Sequence, residues 1–398
     1  MQQPNGSIAK LIECKFQKGV KLKWSTFVDG ENGYLYGIPA NATHVIKFNT
    51  TDKSVIQIGP KHEGGWSCGV RADNGKIYCA PNNCDRILII NTIDESVAYL
   101  DKSLPETGHN LWSSGVLAAD GNIYFMPAGA SKILKVNTHN ETISIVGNEL
   151  VEKDGVLDAS SEKIGATIAS KDGKIIYGIP FKNKRIIKYR LSNPGTTTRI
   201  GVDSDFEDFE CWSAVLGPDG STIYASNEFG KILKFDTVND TYEFISNAIP
   251  TSGRYGWCEA IVGIDQNIYW PPYGANRVLK FNTYTQKREL IGDDLSGLGY
   301  WKWYSGTLAS DDSGYAYFAP SNANYILQLD TSKGKTKMID RELNLPSFDE
   351  IEDPSDVIME RSGCAVGLTK SVKSLKACFS GQTKSCLKNS THKWSYLH

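Results

Sequence analysis

One tyrosine recurs along this chain at intervals of 42 to 53 residues, at Tyr36, Tyr78, Tyr124, Tyr177, Tyr224, Tyr269 and Tyr317. Around each lies the same order of segments, clearest in WSSGVLAADGNIYFMPAGASKILKVN from Trp112. An apolar run opens the block, a turn with Asp-Gly or Asn-Gly follows, and a second run carries the tyrosine. A loop, usually with proline, leads to a third run that ends in Asn-Thr or Asp-Thr, and a more polar fourth run closes it. Four short strands in a period of this length are the signature of a β-propeller blade. No 3.6-residue periodicity appears that would support helical repeats.

Residues 66 to 100 show why such a block needs neighbours. WSCGVRA has small or apolar residues on both faces, as an inner strand between two blades requires. Asp73-Asn74-Gly75 supplies a turn with a glycine able to take positive φ. Pro81 cannot donate to a ladder and marks the exit of the second strand. A lone four-stranded sheet leaves both faces wet, so blades must stack about a common axis. Seven tyrosines predict an all-β chain folded as a seven-bladed β-propeller of four-stranded antiparallel blades over residues 24–346. Residues 1–23 precede it and hold a possible ring-closing strand, Ile8 to Cys14. That strand pairs with the last repeat, or else the last blade is complete within 303–340. Residues 347–398 form a basic, polar extension with seven Lys or Arg and no Asp or Glu after residue 360.

Composition narrows the function classes. A formal net charge of −2 gives no general attraction to nucleic acid or anionic membrane, and no stretch reaches the roughly 18 apolar residues of a membrane span. The N-terminus lacks the apolar core of a secretory signal, so a cytoplasmic protein is favoured; secretion would require a truncated N-terminus. Nine cysteines without a CxxC pair argue against a zinc ribbon. They read as buried thiols, with a Cys79–Cys84 disulfide as the alternative. Six N-x-[ST] sequons, at Asn5, Asn41, Asn49, Asn140, Asn239 and Asn389, fit a glycoprotein, although several belong to the repeated Asn-Thr turn. A monomer is expected.

Ligands of such a ring sit over the channel, on the face built from the four-to-one and two-to-three connections. Residues that break the repeat are the better candidates there, because packing does not demand them. The four-to-one connections bring His62-Glu63, His109-Asn110, the acidic VDSDFEDFE, Arg254-Tyr255 and Asp293-Asp294. The two-to-three loops bring Asn82-Asn83, Asn227-Glu228, Tyr273 and Asn322. The ligand-binding candidates are His62, Glu63, Trp66, Asn83, His109, Trp112, Trp257, Tyr273 and Asn322. A tryptophan opens six of the seven repeats, most often twelve residues before the tyrosine. That regularity argues for indoles packed between blades; the alternative is a ring of aromatic platforms for sugars. The metal candidates are Glu63, Glu210, Asn227 and Glu259, a set of hard oxygen donors suited to Ca²⁺. Asp203-x-Asp205-x-Glu207 has the alternate carboxylates of a calcium loop without its glycine or distal glutamate. His62 and His109 occupy equivalent loops. There is no GxSxG elbow, HExxH helix or Walker loop.

With the repeats aligned, residues 24 to 340 resemble β-propeller repeat proteins of the kelch, NHL and YVTN kind. The phrase HEGGWSCGVRADNGKIY is also similar to the first strand of gluconolactonase-like hydrolases. That resemblance implies a metal-binding role for Glu63, with Asn227 as second ligand. Two functions are therefore expected. The first is a non-catalytic module that binds a protein or glycan on its loop-rich face, with no cofactor. The alternative is a Ca²⁺-dependent lactonase or esterase, in which the metal over the channel polarises a carbonyl.

Overall fold

The computed structural model describes residues 9–13, 20–106, 108–150, 164–181, 184–191, 197–227, 229–245 and 256–332. These lie in a compact unit spanning Met1–Gly363, and the basic C-terminal extension lies outside the described residues. Their strands form seven four-stranded antiparallel sheets, as the seven tyrosines predict. Two short 3-10 turns, Asp203–Phe206 and Ser296–Leu298, are the only helical elements among them. No helix there is long and apolar enough to cross a membrane.

The blades are numbered here by their first strands. These are Trp24–Asp29, Trp66–Arg71, Trp112–Leu117, Ile164–Ala169, Cys211–Leu216, Ile261–Val262 and Trp303–Leu308. Each first strand touches the first strands of the blades before and after it, and the seventh touches the first, so this layer surrounds the axis. Crowding there dictates glycine: a Cβ on Gly306 would lie 2.2 Å from the Tyr317 carbonyl oxygen.

The ring closes through its terminal strands. Ala9–Glu13 pairs antiparallel with Tyr325–Asp330, in register from Ala9 opposite Leu329 to Glu13 opposite Tyr325. The seventh blade thus takes its outermost strand from the chain's beginning, which resolves the alternatives left by the sequence.

Two side-chain bonds recur, each in five of the seven blades. Trp24, Trp66, Trp112, Trp257 and Trp303 are almost wholly buried. Their indole N–H groups donate to the carbonyls of His44, Arg86, Lys132, Arg277 and Tyr325 at 2.7–3.1 Å. At the opposite face, Thr50, Thr92, Thr138, Thr237 and Thr331 donate to carbonyls in the first turn of their own blades. The asparagine before the first of them, Asn49, accepts the amides of Thr51 and Asp52. The Asn-Thr pattern is therefore a turn device. None of the five described cysteines forms a disulfide, so Cys79 and Cys84 are not joined.

Deleting residues 1–13 leaves Tyr325–Asp330 as an open edge, which invites pairing between molecules. The melting temperature should fall by about 5–10 °C and gel filtration should show concentration-dependent association. An unchanged melt with monodisperse elution would show that this strand does not secure the ring.

Candidate functional site

Strand register, rather than tyrosine spacing, shows which residue opens each blade. Trp24, Trp66, Trp112, Ile164, Trp257 and Trp303 oppose Pro39, Pro81, Pro127, Pro180, Pro272 and Pro320. In the fifth blade the opening residue is Cys211, opposite Asn227. Trp212 is therefore displaced by one position. The first turn of this blade, residues 217 to 222, is one residue longer than its counterpart at 118 to 122. That insertion preserves the twelve-residue spacing of Trp212 to Tyr224 while shifting the strand. The opening tryptophan thus occurs in five blades, not six.

The residue after each opening position stands one place before the residue at the level of the axial cavity, and this level is termed the collar. In the first three blades it is Ser25, Ser67 and Ser113; in the last three it is Trp212, Cys258 and Tyr304. Trp212 packs edge-on against Phe181, ring centres 4.6 Å apart. Tyr304 packs against Tyr273 in the same way at 5.8 Å. Phe181 and Tyr273 hold the same place, directly after the loop proline of the preceding blade. Trp301, Leu22 and Cys258 complete the cluster around Tyr273 and Tyr304. One side of the collar is aromatic.

The other side is polar. Asn82 takes the place of Tyr273, and its carbonyl accepts the Leu111 amide as that of Tyr273 accepts the Lys302 amide. Asn110 takes the place of Trp301, two residues before the opening position. Both asparagines are buried, and both have an amide oxygen with no hydrogen-bond partner among the described residues. Ser67 and Ser113 donate to the carbonyls of Trp112 and Ile164 in the next blade.

Leu22, Asn110 and Trp301 share one backbone conformation, with φ of 51°, 55° and 58°. For leucine and tryptophan that region costs about 1–3 kcal/mol, so the surroundings must enforce it. Asn322 Oδ1 accepts the Leu22 amide at 2.7 Å, and Asn83 Oδ1 accepts that of Asn110 at 3.3 Å. Beside them Lys302 is fully buried and donates to the Gly299 carbonyl at 2.8 Å. Burial lowers its pKa to about 8, with Asp294 opposing the shift.

Next to the collar lies a cavity of about 260 Å³. The next residue of each blade lies at this level: Thr26, Cys68, Ser114, Ala166, Ser213, Glu259 and Ser305. Six of the seven, all but Ser213, line the cavity. Hydroxyl pairs bridge adjacent blades, Thr26 to Ser305 at 2.8 Å and Ser114 to Thr167 at 2.6 Å. Ser213 Oγ accepts the Ala260 amide at 2.8 Å and the Trp270 indole N–H at 3.0 Å.

The predicted site residues separate into several groups. Trp66, Trp112 and Trp257 are structural, with their indoles enclosed between blades, so they present no stacking face. Tyr273 belongs to the aromatic flank, where Asn322 holds the amide of Leu22, while Asn83 holds that of Asn110 on the polar flank. His109 is exposed. His62 is buried, with Nδ1 2.8 Å from the Tyr99 hydroxyl and its ring edge-on to Trp66. Its Nε2 has no partner among the described residues. The four metal candidates do not converge: Glu63 and Glu210 are exposed, and Asn227 Oδ1 accepts the amides of Phe229 and Lys231. Only Glu259 lines the channel. Among the described residues no three His, Cys, Asp or Glu side chains gather as a metal site. The residues present thus do not fit the calcium centre expected of a hydrolase. The carboxylates of the calcium-like loop have protein partners: Asp203 with Arg185, Asp205 with the Tyr242 hydroxyl, and Glu207 with Lys184. Phe206 and Phe209 anchor that loop in the core.

No protein-family model matches this chain, and no curated protein matches it. Solved structures do. A streptogramin B lyase superposes with a TM-score of 0.65 at 14% identity, covering 81% of this chain and 97% of the other. A catalytically inactive virginiamycin B lyase from Staphylococcus aureus, with quinupristin, gives 0.64 at 13%, covering 81% and 98%. The hydrazine synthase of Kuenenia stuttgartiensis gives 0.59 at 12%, covering 80% and 99%. At these identities the likeness shows the propeller fold alone.

Burial, reinforced by nearby His44, lowers the His62 pKa from 6.5 to about 4. The unfolded chain therefore binds this proton first, and stability falls as pH drops from about 6.5 towards 4. The slope is about 1.4 kcal/mol per pH unit within that window. Thermal melts from pH 7.5 to 4.5 should show this loss, and His62→Gln should flatten it; an identical pH slope in the variant would refute the assignment.

Proposed function

We propose that this protein is a non-catalytic binding module that takes a glycan on its loop-rich face, over the mouth of the axial channel. The two-sided collar carries this reading. A sugar ring has a C–H face that stacks on aromatic rings and an edge of hydroxyl donors and acceptors. Half-buried Tyr304 supplies the first kind of surface, with the buried rings of Tyr273, Trp212 and Phe181 filling the flank behind it. Asn82 and Asn110 supply the second, with acceptor oxygens that are enclosed in the unliganded protein and reach a ligand hydroxyl when their side chains turn outward. Leaving such an acceptor unmet costs about 1–3 kcal/mol, so the unliganded collar is primed for a donor.

Size is consistent with this. The cavity next to the collar, about 260 Å³ and lined by none of these six side chains, is smaller than the roughly 300–1,000 Å³ of drug-sized sites and holds no more than the terminal sugar of a chain. A neighbour of the same fold, virginiamycin B lyase, is described with quinupristin, a further sign that this scaffold accommodates small organic ligands. The fold itself does not choose the ligand.

A glycan array followed by calorimetry tests the reading. Trp212→Leu and Tyr304→Ala, checked for intact melts, should each weaken the best saccharide at least about tenfold, or 1.4 kcal/mol. Tyr284→Ala, on a turn of the opposite face and 94% exposed, should leave affinity unchanged. Failure of any saccharide to bind at millimolar concentration, or undiminished binding by Trp212→Leu, would sink the glycan reading. Capture of a protein partner through the same residues would replace it.

A further inference from the structure

We propose that Asn140 is a site of N-linked glycosylation, which carries a covalent glycan on the face opposite the collar, beside an open groove between the second and third blades. This inference is independent of the binding reading above, since it concerns another face and a different kind of attachment.

The first observation is how the sequons differ once folded. Asn41, Asn49, Asn140 and Asn239 fall among the described residues; Asn5 and Asn389 lie outside them. An acceptor asparagine must stand at the surface. Asn41 and Asn49 are half-buried, whereas Asn140 and Asn239 are exposed, each in the turn between the third and fourth strands of its blade. Exposure alone leaves two candidates.

The second observation separates them. The sugar is joined to the side-chain nitrogen, so the bonds of Nδ2 in the folded chain decide what an attachment disturbs. Asn239 Nδ2 donates to Asp236 Oδ2 at 2.8 Å, and Asn41 Nδ2 donates to the Lys21 carbonyl at 3.1 Å. Asn140 is held the other way round. Its Oδ1 accepts the Thr142 amide at 3.2 Å and the Thr142 hydroxyl at 2.7 Å, and its Nδ2 has no partner among the described residues. A glycan on Nδ2 therefore displaces no bond of the turn.

The third observation is the space beside it. Asn140 lines an open groove of about 600 Å³ where the first turn of the second blade meets the turns of the third. Lys76 pairs with Glu141 at 2.6 Å and Asn74 Nδ2 donates to the Thr138 carbonyl at 2.8 Å, which ties the two walls together. Asp73 and His139 add to the polar lining. Sugar hydroxyls find donors and acceptors there, and the groove has room for the sugar nearest the protein.

The reaction is transfer of a sugar from a glycosyl diphosphate by a separate transferase. Asn140 Nδ2 attacks the anomeric carbon, and a carbon–nitrogen bond replaces the bond to the diphosphate oxygen. The diphosphate leaves with the electron pair, and one amide proton passes to a base of the transferase. The donor is a lipid-linked oligosaccharide or a nucleotide sugar, both of them glycosyl diphosphates.

The test is mass spectrometry of intact glycopeptides from the full chain, purified from its native source. The Asn140 peptide should carry a glycan, while the Asn41, Asn49 and Asn239 peptides should be largely bare. An attached oligosaccharide identifies the lipid-linked donor, and a single sugar the nucleotide donor. Asn140→Gln and Thr142→Ala, produced in the same source, should each lose the glycan, and Thr142→Ser should keep it. A bare Asn140 peptide in the wild type overturns the assignment, as does equal or greater occupancy at any of the other three. The wild-type map decides the matter even if a variant does not fold.

Discussion

The hydrogen bond from each opening indole to a carbonyl on the third strand's approach is the interaction on which the rest of the ring depends. It fixes the innermost strand of a blade against the loop that leads to its third strand, and it does so inside the interface with the preceding blade. An indole buried without that acceptor would leave a polar N–H in an apolar layer, at a cost of about 1–3 kcal/mol. Five blades satisfy it with tryptophan. Two do without it, opening on Ile164 and Cys211. Those two blades are adjacent, and beside them the collar acquires Phe181 and Trp212.

Much of the architecture was legible because packing repeats. The recurring tyrosine, the turn glycines and the exit prolines together predict seven sheets, and seven are present. Ring closure was not legible. Nothing in the sequence of Ala9–Glu13 distinguishes a partner for Tyr325–Asp330 from an independent strand. The site was legible only in outline. Selecting the right face brought in Asn82, Asn110 and Tyr273, yet the regular spacing of Trp212 concealed that it had left the packing layer. Counting from the tyrosine placed it with the structural indoles; counting from the loop proline, or from Asn227 in that blade, places it in the collar. Carboxylates misled for a different reason. Asp203, Asp205 and Glu207 are spaced as ligands, but Arg185, Tyr242 and Lys184 stand opposite them, far away in sequence.

Near-symmetry makes the departures from it meaningful. Asn82 and Tyr273 have the same backbone hydrogen bonds, as do the loops around Asn110 and Trp301. The scaffold is therefore indifferent to which side chain occupies those places. Chemistry at the mouth can change from amide to aromatic without disturbing the sheets beneath, which is how one repeated unit produces a polar flank and an apolar flank around a single opening.

The terminal strand pairing also sets an order of events during synthesis. Ala9–Glu13 leaves the ribosome first, but its partner Tyr325–Asp330 follows only after roughly three hundred more residues. At about 5–20 residues per second that wait lasts about 15–60 s. Through it the earlier blades can assemble one upon another, while the strand destined for the seventh blade waits without a partner and the first blade has no neighbour on one side. The nascent chain is thus an open arc with a sticky beginning, and the ring is completed in a single late step. The loop-closure entropy of that step grows only logarithmically with length, so the delay exposes the arc far more than it weakens the finished ring.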